Sequence, residues 1–217
     1  MRPFEPTQRT RVRRLPERGV YDREVIDAIL DEALICHLAT LVDGSPRVIP
    51  TIHARVGDTL YVHGSPASRT LRALRDGAEA CVAVTLVDGL VLARSGFHSS
   101  INYRSVIVYG TAREVRDGGE KRLAQDALVD HVVPGRSRDV RPPTEAELRQ
   151  TAIFALPLEE SSAKVRTGPP KDEQEDHALP IWAGVLPLRT EAGPPQDDPH
   201  LPQGMRPPPN VLGYRRP

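Results

Sequence analysis

From Cys36 to Val115 the chain is divided into six runs rich in valine, isoleucine, leucine and tyrosine: Cys36–Val42, Arg47–Val56, Thr59–His63, Ala80–Val87, Leu90–Ser95 and Ile101–Val115. Asp43-Gly44 and Gly57-Asp58 stand at turns between neighbouring runs, and Asp88-Gly89 is a hinge between two others. The first two adopt the left-handed backbone that a two-residue hairpin needs, so they turn one strand directly into the next. Hairpins make antiparallel sheet. Many of them with few helices between favour a barrel or sandwich over a doubly wound parallel sheet. The expected class is mainly β with flanking helices, an antiparallel, Greek-key-like barrel.

Helices are signalled around that sheet. Asp22 is an N-cap for a helix to about Ala33, with Val25, Ile26, Ile29, Leu30, Ala33 and Leu34 as the stripe covering a sheet or barrel end. Ser65-Pro66 reads as an N-cap and a proline at the first helical position, Leu71 and Leu74 continue that helix, and Gly77 closes it. A third helix runs from Glu120 to about Val133, stopped by Pro134-Gly135. Thr144-Glu145-Ala146-Glu147 has the form of a capping box, and Thr151–Leu158 reads as a last clear strand. Beyond it the chain turns irregular, and Trp182, the only tryptophan, is expected either as a lid on the core edge or in contact with a cofactor or partner subunit. The organisation expected is a basic arm (1–19), a folded domain (20–189) and a proline-rich tail without fixed structure (190–217).

The segment Tyr61–Arg69, YVHGSPASR, brings a strand end, a helix start, a serine hydroxyl and an arginine fork together. That combination suits an anion, because the first amides of a helix are unsatisfied and Ser68 and Arg69 add donors. A second segment, Asn102–Gly110 (NYRSVIVYG), is β-rich with its polar groups at the start. Together the two resemble the pyridoxamine 5′-phosphate oxidase-related flavoproteins, the FMN-binding split-barrel group. In that group a Ser-Arg/Lys phosphate clamp is followed by an Arg-polar-Val strand closing in glycine. Lys164–Pro170 and Trp182–Pro187 resemble the group's Trp-containing end segment, and the likeness spans roughly residues 20 to 190. Its nearest shape is the flavin-nucleotide-binding subgroup, with nitroimidazole-resistance proteins as relatives.

The resemblance implies an FMN-binding split barrel, a homodimer with the flavin at the subunit interface, and a set of cofactor contacts. Ser68 and Arg69 would take the phosphate, with Arg104 or Ser105 as further donors. The backbone of Arg47, Val48, Ile49, Pro50 and Thr51 would meet the pyrimidine edge of the ring, and Pro50 suits an edge position where one N–H is dispensable. His63 and Ser65 would lie by the ribityl hydroxyls, and Lys164, Arg166 and Trp182 would reach the flavin of the other subunit. Tyr103, Arg104 and Ser105 alternate across a strand, so all three cannot face one ligand. The Arg-x-His-x-Arg pattern of true pyridoxamine phosphate oxidases is missing, and Ser105 stands where those enzymes carry glutamine. The implied activity is therefore reduction of a small oxidised substrate, such as a quinone, a nitro compound or another flavin, with NAD(P)H as donor.

Two other classes stay open: a non-catalytic flavin sensor or store, and a haem-binding split barrel in which His63 or His98 ligates iron. A deazaflavin in place of FMN also stays open. Twenty-nine basic and twenty-nine acidic residues cancel, so no overall field attracts nucleic acid. No apolar window approaches a membrane span or a secretory signal, and a cytoplasmic location is expected. Cys36 and Cys81 lie in apolar runs and read as reduced and buried; the histidines show no metal-ligand spacing.

Overall fold

The computed structural model describes residues 3–215. In chain order the elements are β1 (Gly19–Val20), α1 (Arg23–Glu32), β2 (Ile35–Val42), β3 (Ser45–Val56), β4 (Thr59–Gly64), α2 (Arg69–Arg75), β5 (Glu79–Leu92), β6 (Ser100–Thr111) and β7 (Arg113–Glu114). They continue with α3 (Gly118–Val132), α4 (Glu145–Gln150), β8 (Ala152–Pro157), β9 (Glu160–Arg166), β10 (Gly184–Pro187) and α5 (Pro209–Leu212). The strands form one sheet in the order β1-β9-β6-β5-β2-β3-β4-β8-β7, with β10 added to β5.

The hairpins fall where the turn dipeptides place them. Asp43 and Gly44 both have positive φ (51° and 75°), and β2 pairs with β3 from Val42↔Ser45 to Ile35↔Ile52. The bend in β3 divides the sheet. Its first half pairs with β2, whereas His53–Val56 pair with β4 instead. Among the described residues no strand pairs with the other edge of Ser45–Ile52, and that edge stays open beside the loop leaving β4.

Ile26, Ile29, Leu30 and Ala33 of α1 close one end of the barrel over Leu38, Leu60, Val82, Val108 and Phe154. Val25 and Leu34, expected in the same stripe, are 37% exposed. The helix meets the curved barrel along a narrower face than the sequence pattern offers. Phe154, fully buried, lies on β8 between β4 and β7. Phe154→Ala should cost about 3–5 kcal/mol of unfolding free energy, the usual loss for a buried phenylalanine. A urea midpoint unchanged in that variant would remove Phe154 from the core.

Several expectations need correction. α2 begins at Arg69 with Ser68 as its N-cap, not at Ser65-Pro66; Ser65 instead accepts the Ala67 amide at 3.2 Å in a preceding turn. The C-terminal cap stands: Gly77 has φ +89°, and the Ala78 amide returns to Ala73 O at 3.0 Å. Ala80–Val87 and Leu90–Ser95 are one strand, β5, carrying a bulge between Val87 and Gly89. A Cβ on Gly89 would meet Leu186 O at 3.0 Å, so the backbone there must pass close to β10. Ile101–Val115 breaks at Ala112 into β6 and β7. β9 and β10 lie in the region read as irregular; β9 pairs with β6 throughout and β10 pairs with β5.

Cys36 is buried on the inner side of β2, and burial pushes its thiol up to about 12. Cys81 lies level with Ala39, on the opposite face, and both thiols are free. The tail beyond residue 190 is mostly exposed and carries only α5, where Asn210 donates to Asp139 Oδ2 (2.8 Å) and Pro134 O (3.3 Å). Among the described residues no helix is long and apolar enough to cross a membrane.

Candidate functional site

Most of the expected site residues fall into two groups set apart along the sheet. The first surrounds the open edge of β3. Arg47, Val48 and Pro50 are exposed there, with Ile49 and Thr51 half-buried. The edge lacks a neighbouring strand, so its amides and carbonyls are left for a ligand or a second chain. β4 ends beside it at His63-Gly64, and the loop Ser65–Ser68 leads into α2. A Cβ on Gly64 would meet Leu71 Cδ1 at 3.0 Å, which holds this turn tightly against α2.

Ser68 Oγ accepts the Leu71 amide at 3.5 Å as the helix cap, which leaves its O–H as a donor. Arg69 donates to Asp43 Oδ2 at 2.7 Å, and both side chains are largely exposed. Arg72 donates to Ala67 O at 2.8 Å. A 360 Å³ hollow lies between these groups, lined by Val42, Asp43, Arg69, Arg72, Ala73 and Asp76. An exposed ion pair such as Arg69–Asp43 is worth only about 0–1 kcal/mol, less than a charge-assisted contact to phosphate, so a phosphate can displace Asp43.

His63 is the uncommitted polar group of this region. Its Nδ1 is buried and makes no hydrogen bond, and burial pushes the imidazole below the ordinary histidine range, favouring the neutral form. The folded protein thus refuses a proton that the unfolded chain accepts below pH 6.5. Stability should fall as pH drops through that value, and His63→Asn should flatten the fall. Urea midpoints at about pH 7.5 and 5.5 check this. Equal pH dependence in the two proteins would place the titration elsewhere.

The second group lies on the outward face of β6 and β9. Ser105 pairs in register with Lys164, and Tyr103 with Arg166. Ser105 Oγ donates to Lys164 O at 3.3 Å, and Lys164 Nζ donates to Arg14 O at 2.9 Å. Arg166 is only 6% exposed and is held by Asn102 Oδ1, Gly168 O (3.4 Å) and Pro169 O (3.3 Å). Measured along the sheet, at about 4.8 Å per strand, the four steps from β9 to β3 amount to about 19 Å.

Arg104 and Trp182 join neither group. Arg104 is forked between Glu32 and Asp88, the bulge residue of β5, and its donors are committed to those carboxylates. Trp182 is 69% exposed and rests on Gly184, where a Cβ would come within 2.8 Å of its ring, so it is no lid on the core. His98 sits in the β5–β6 connection, its Nε2 3.5 Å from Glu173 and its ring against Phe97. The N-terminal arm was legible only as basic. Arg14 and Arg18, which the fold carries over β9, were missed because no local pattern tells where an irregular arm docks.

The sequence pattern of the pyridoxamine 5′-phosphate oxidase family matches residues 22–165, most of the folded region. The chain belongs to the pyridoxamine 5′-phosphate oxidase family. The flavocytochrome Anf3 of Azotobacter vinelandii is 40% identical, with 98% of this chain and 99% of that one covered at a TM-score of 0.91. The FAD and haem binding protein of Mycobacterium smegmatis is 42% identical, with 90% and 96% covered at a TM-score of 0.86. A Bacteroides thetaiotaomicron structure assigned to 5-nitroimidazole antibiotic resistance is 24% identical, with 68% and 86% covered at a TM-score of 0.58, and shares the fold alone. No curated protein matches. Within this pyridoxamine 5′-phosphate oxidase family the fold is the flavin-binding split barrel expected from the sequence, and the open first half of β3 is where it splits.

Proposed function

We propose that the chain is a two-cofactor redox protein that holds a flavin along the open edge of β3 and ligates a haem iron through His63. The observation that carries the reading is His63 itself: a neutral imidazole with a buried, unpartnered Nδ1, placed where β4 gives way to the Ser65–Arg69 turn. Iron requires the neutral imidazole, and burial supplies it. The two relatives above 40% or at 40% identity, a flavocytochrome and an FAD and haem binding protein, support the pairing of these cofactors. His98 is the weaker candidate, since its Nε2 faces the Glu173 carboxylate.

A bound flavin supplies hydride and electron transfer, and a haem supplies one-electron transfer. The protein's part is placement. Arg69 and Arg72 would neutralise the phosphate of the FMN portion, and the open edge of Arg47–Thr51, opposite the one paired with β2, would hold the ring edge. Exposed Val48, Leu41 and Ile35 lie on that same ribbon of β2 and β3 and need a cover. A second copy of the chain provides it, giving a homodimer in which the open edge is closed and water excluded. NAD(P)H is the electron donor in this reading, and a small oxidised molecule such as a quinone or nitro compound is the acceptor.

The test is an absorbance spectrum of the purified protein, with the released cofactors identified by mass. A Soret band together with flavin bands at about 370 and 450 nm is the expected result. Flavin bands alone, persisting after added haemin, would leave a flavoprotein and remove the haem. A protein that takes up neither cofactor would overturn the reading.

A further inference from the structure

Much of the arginine of this chain is spent on carboxylates: Arg9, Arg23, Arg55, Arg75, Arg94, Arg104, Arg113 and Arg141 all sit in ion pairs. On the outward face of β9, Glu160 at the start of the strand is taken by Arg9, but the far half is different. Lys164 and Arg166 project from alternate positions of that strand, and the N-terminal arm crosses it with Arg14 and Arg18. Among the described residues none of these four cations forms an ion pair, and Glu17, exposed in the same 3-10 turn as Arg18, pairs with none of them. Arg166 is nine-tenths buried, its Nε has no partner, and its other donors meet only neutral oxygens. Burial and the neighbouring charge of Arg18 both lower its affinity for its proton.

Like charges are held together here by a rigid arm. Arg9 pins the arm to Glu79 and Glu160, the Val12 amide donates to Tyr21 Oη at 2.8 Å, and Leu15 adopts a left-handed backbone (φ 57°) just before Pro16. A Cβ on Gly19 would meet Val12 Cβ at 3.0 Å, so the arm lies directly on β1. A non-glycine residue in that conformation is costly and persists only where its surroundings impose it. Arg18 lies near enough to Arg166 to act on its charge, Lys164 shares the face of Arg166, and Arg14 is tied to Lys164 through its backbone carbonyl. Guanidinium and ammonium groups without a carboxylate partner match the several oxygens of a phosphate.

We propose that Arg14, Arg18, Lys164 and Arg166 form a second phosphate site, separate from the Ser68–Arg69 clamp, that takes the phosphate of a nucleotide. Two sources share that chemistry. One is the adenosine-side phosphate of an FAD whose FMN half sits in the clamp of a second copy; measured along the sheet, about 19 Å separates the two groups within one chain. The other is a free nucleotide phosphate. The first source rests on the flavin and dimer reading given above; the second does not.

The experiment is titration of flavin-free protein with FAD, FMN, ADP and inorganic phosphate, comparing the natural chain with the double variant Arg14→Ala/Arg18→Ala. These side chains make no ion pairs, so the variant keeps its fold, which an unchanged melting temperature verifies. Weakening of FAD by at least about tenfold with FMN unchanged supports the site and assigns it to FAD. Weakening of ADP and phosphate by a similar factor with both flavins unchanged supports it for a free nucleotide. Lys164→Gln should move the same ligand in the same direction. Unchanged binding of FAD, ADP and phosphate would overturn the proposal, as would equal weakening of FMN and FAD, because the arm would then act through the clamp. If the natural chain takes up neither flavin, the flavin reading falls while ADP and phosphate still decide the site.

Discussion

His63→Ala should abolish the Soret absorbance of the haem-loaded protein, cutting haem content to below about a tenth while flavin content stays unchanged. The reasoning starts from the buried Nδ1, which makes no hydrogen bond in the folded chain. An unmatched buried polar atom ordinarily costs about 1–3 kcal/mol, and a chain carries such a cost where a ligand relieves it or where strain serves a function. Without the imidazole the chain would offer the iron no nitrogen at this position. The substitution also removes the unmatched nitrogen, so the apo-protein should keep its fold. An undiminished Soret band in His63→Ala would shift the assignment to His98, and His98→Ala would then have to remove it.

Arg69→Ala should weaken flavin binding by about 10- to 150-fold, the range for loss of a charge-assisted contact of about 1.5–3 kcal/mol. The fold should be untouched, because Arg69 is exposed and the one ion pair it makes among the described residues, with Asp43, is exposed as well. The same geometry makes an opposite prediction for its partner. Asp43→Asn frees the guanidinium and removes a negative charge from the hollow that Arg69 and Arg72 line, so flavin should bind more tightly. The φ of 51° at position 43 is a conformation asparagine accepts readily, so the turn survives. Fluorescence titration of flavin-free protein measures both variants. Opposite signs support the clamp; a loss in both would mean that the turn, and not the charge, shapes the hollow.

The elements that local chemistry specifies were legible in the sequence. Asp22 and Thr144 cap helices through bonds spanning three residues, and Asp43-Gly44 makes its hairpin through its own backbone angles; α3, expected from Glu120, starts at Gly118 behind an Asp117 cap that was not read. The helix start at Ser65-Pro66 failed because two cap-forming serines stand three residues apart. Only packing of Leu71 against Gly64 favours the later one. β9 went unread because Glu160–Arg166 is largely polar, and β10 because Gly184–Pro187 is only four residues with a glycine and a proline at its ends; their pairing with β6 and β5 comes from neighbours distant in sequence.

The site divides along the same line. The identities of Ser68, Arg69 and the Arg47–Thr51 strand carried the family resemblance, and the family match covers them. The alternation of Arg104 and Ser105 across the strand was legible in the sequence. Only the fold shows that a carboxylate from α1 and another from the β5 bulge claim Arg104. By itself, then, the sequence determined the hairpins, the caps, the apolar periodicity and the family, because each depends on residues a few positions apart. The tertiary structure alone decided which cations are already neutralised, that His63 has a buried and unmatched nitrogen, and that an irregular basic arm lies over β9. Those outcomes depend on burial and long-range pairing, and no local pattern of residues encodes them.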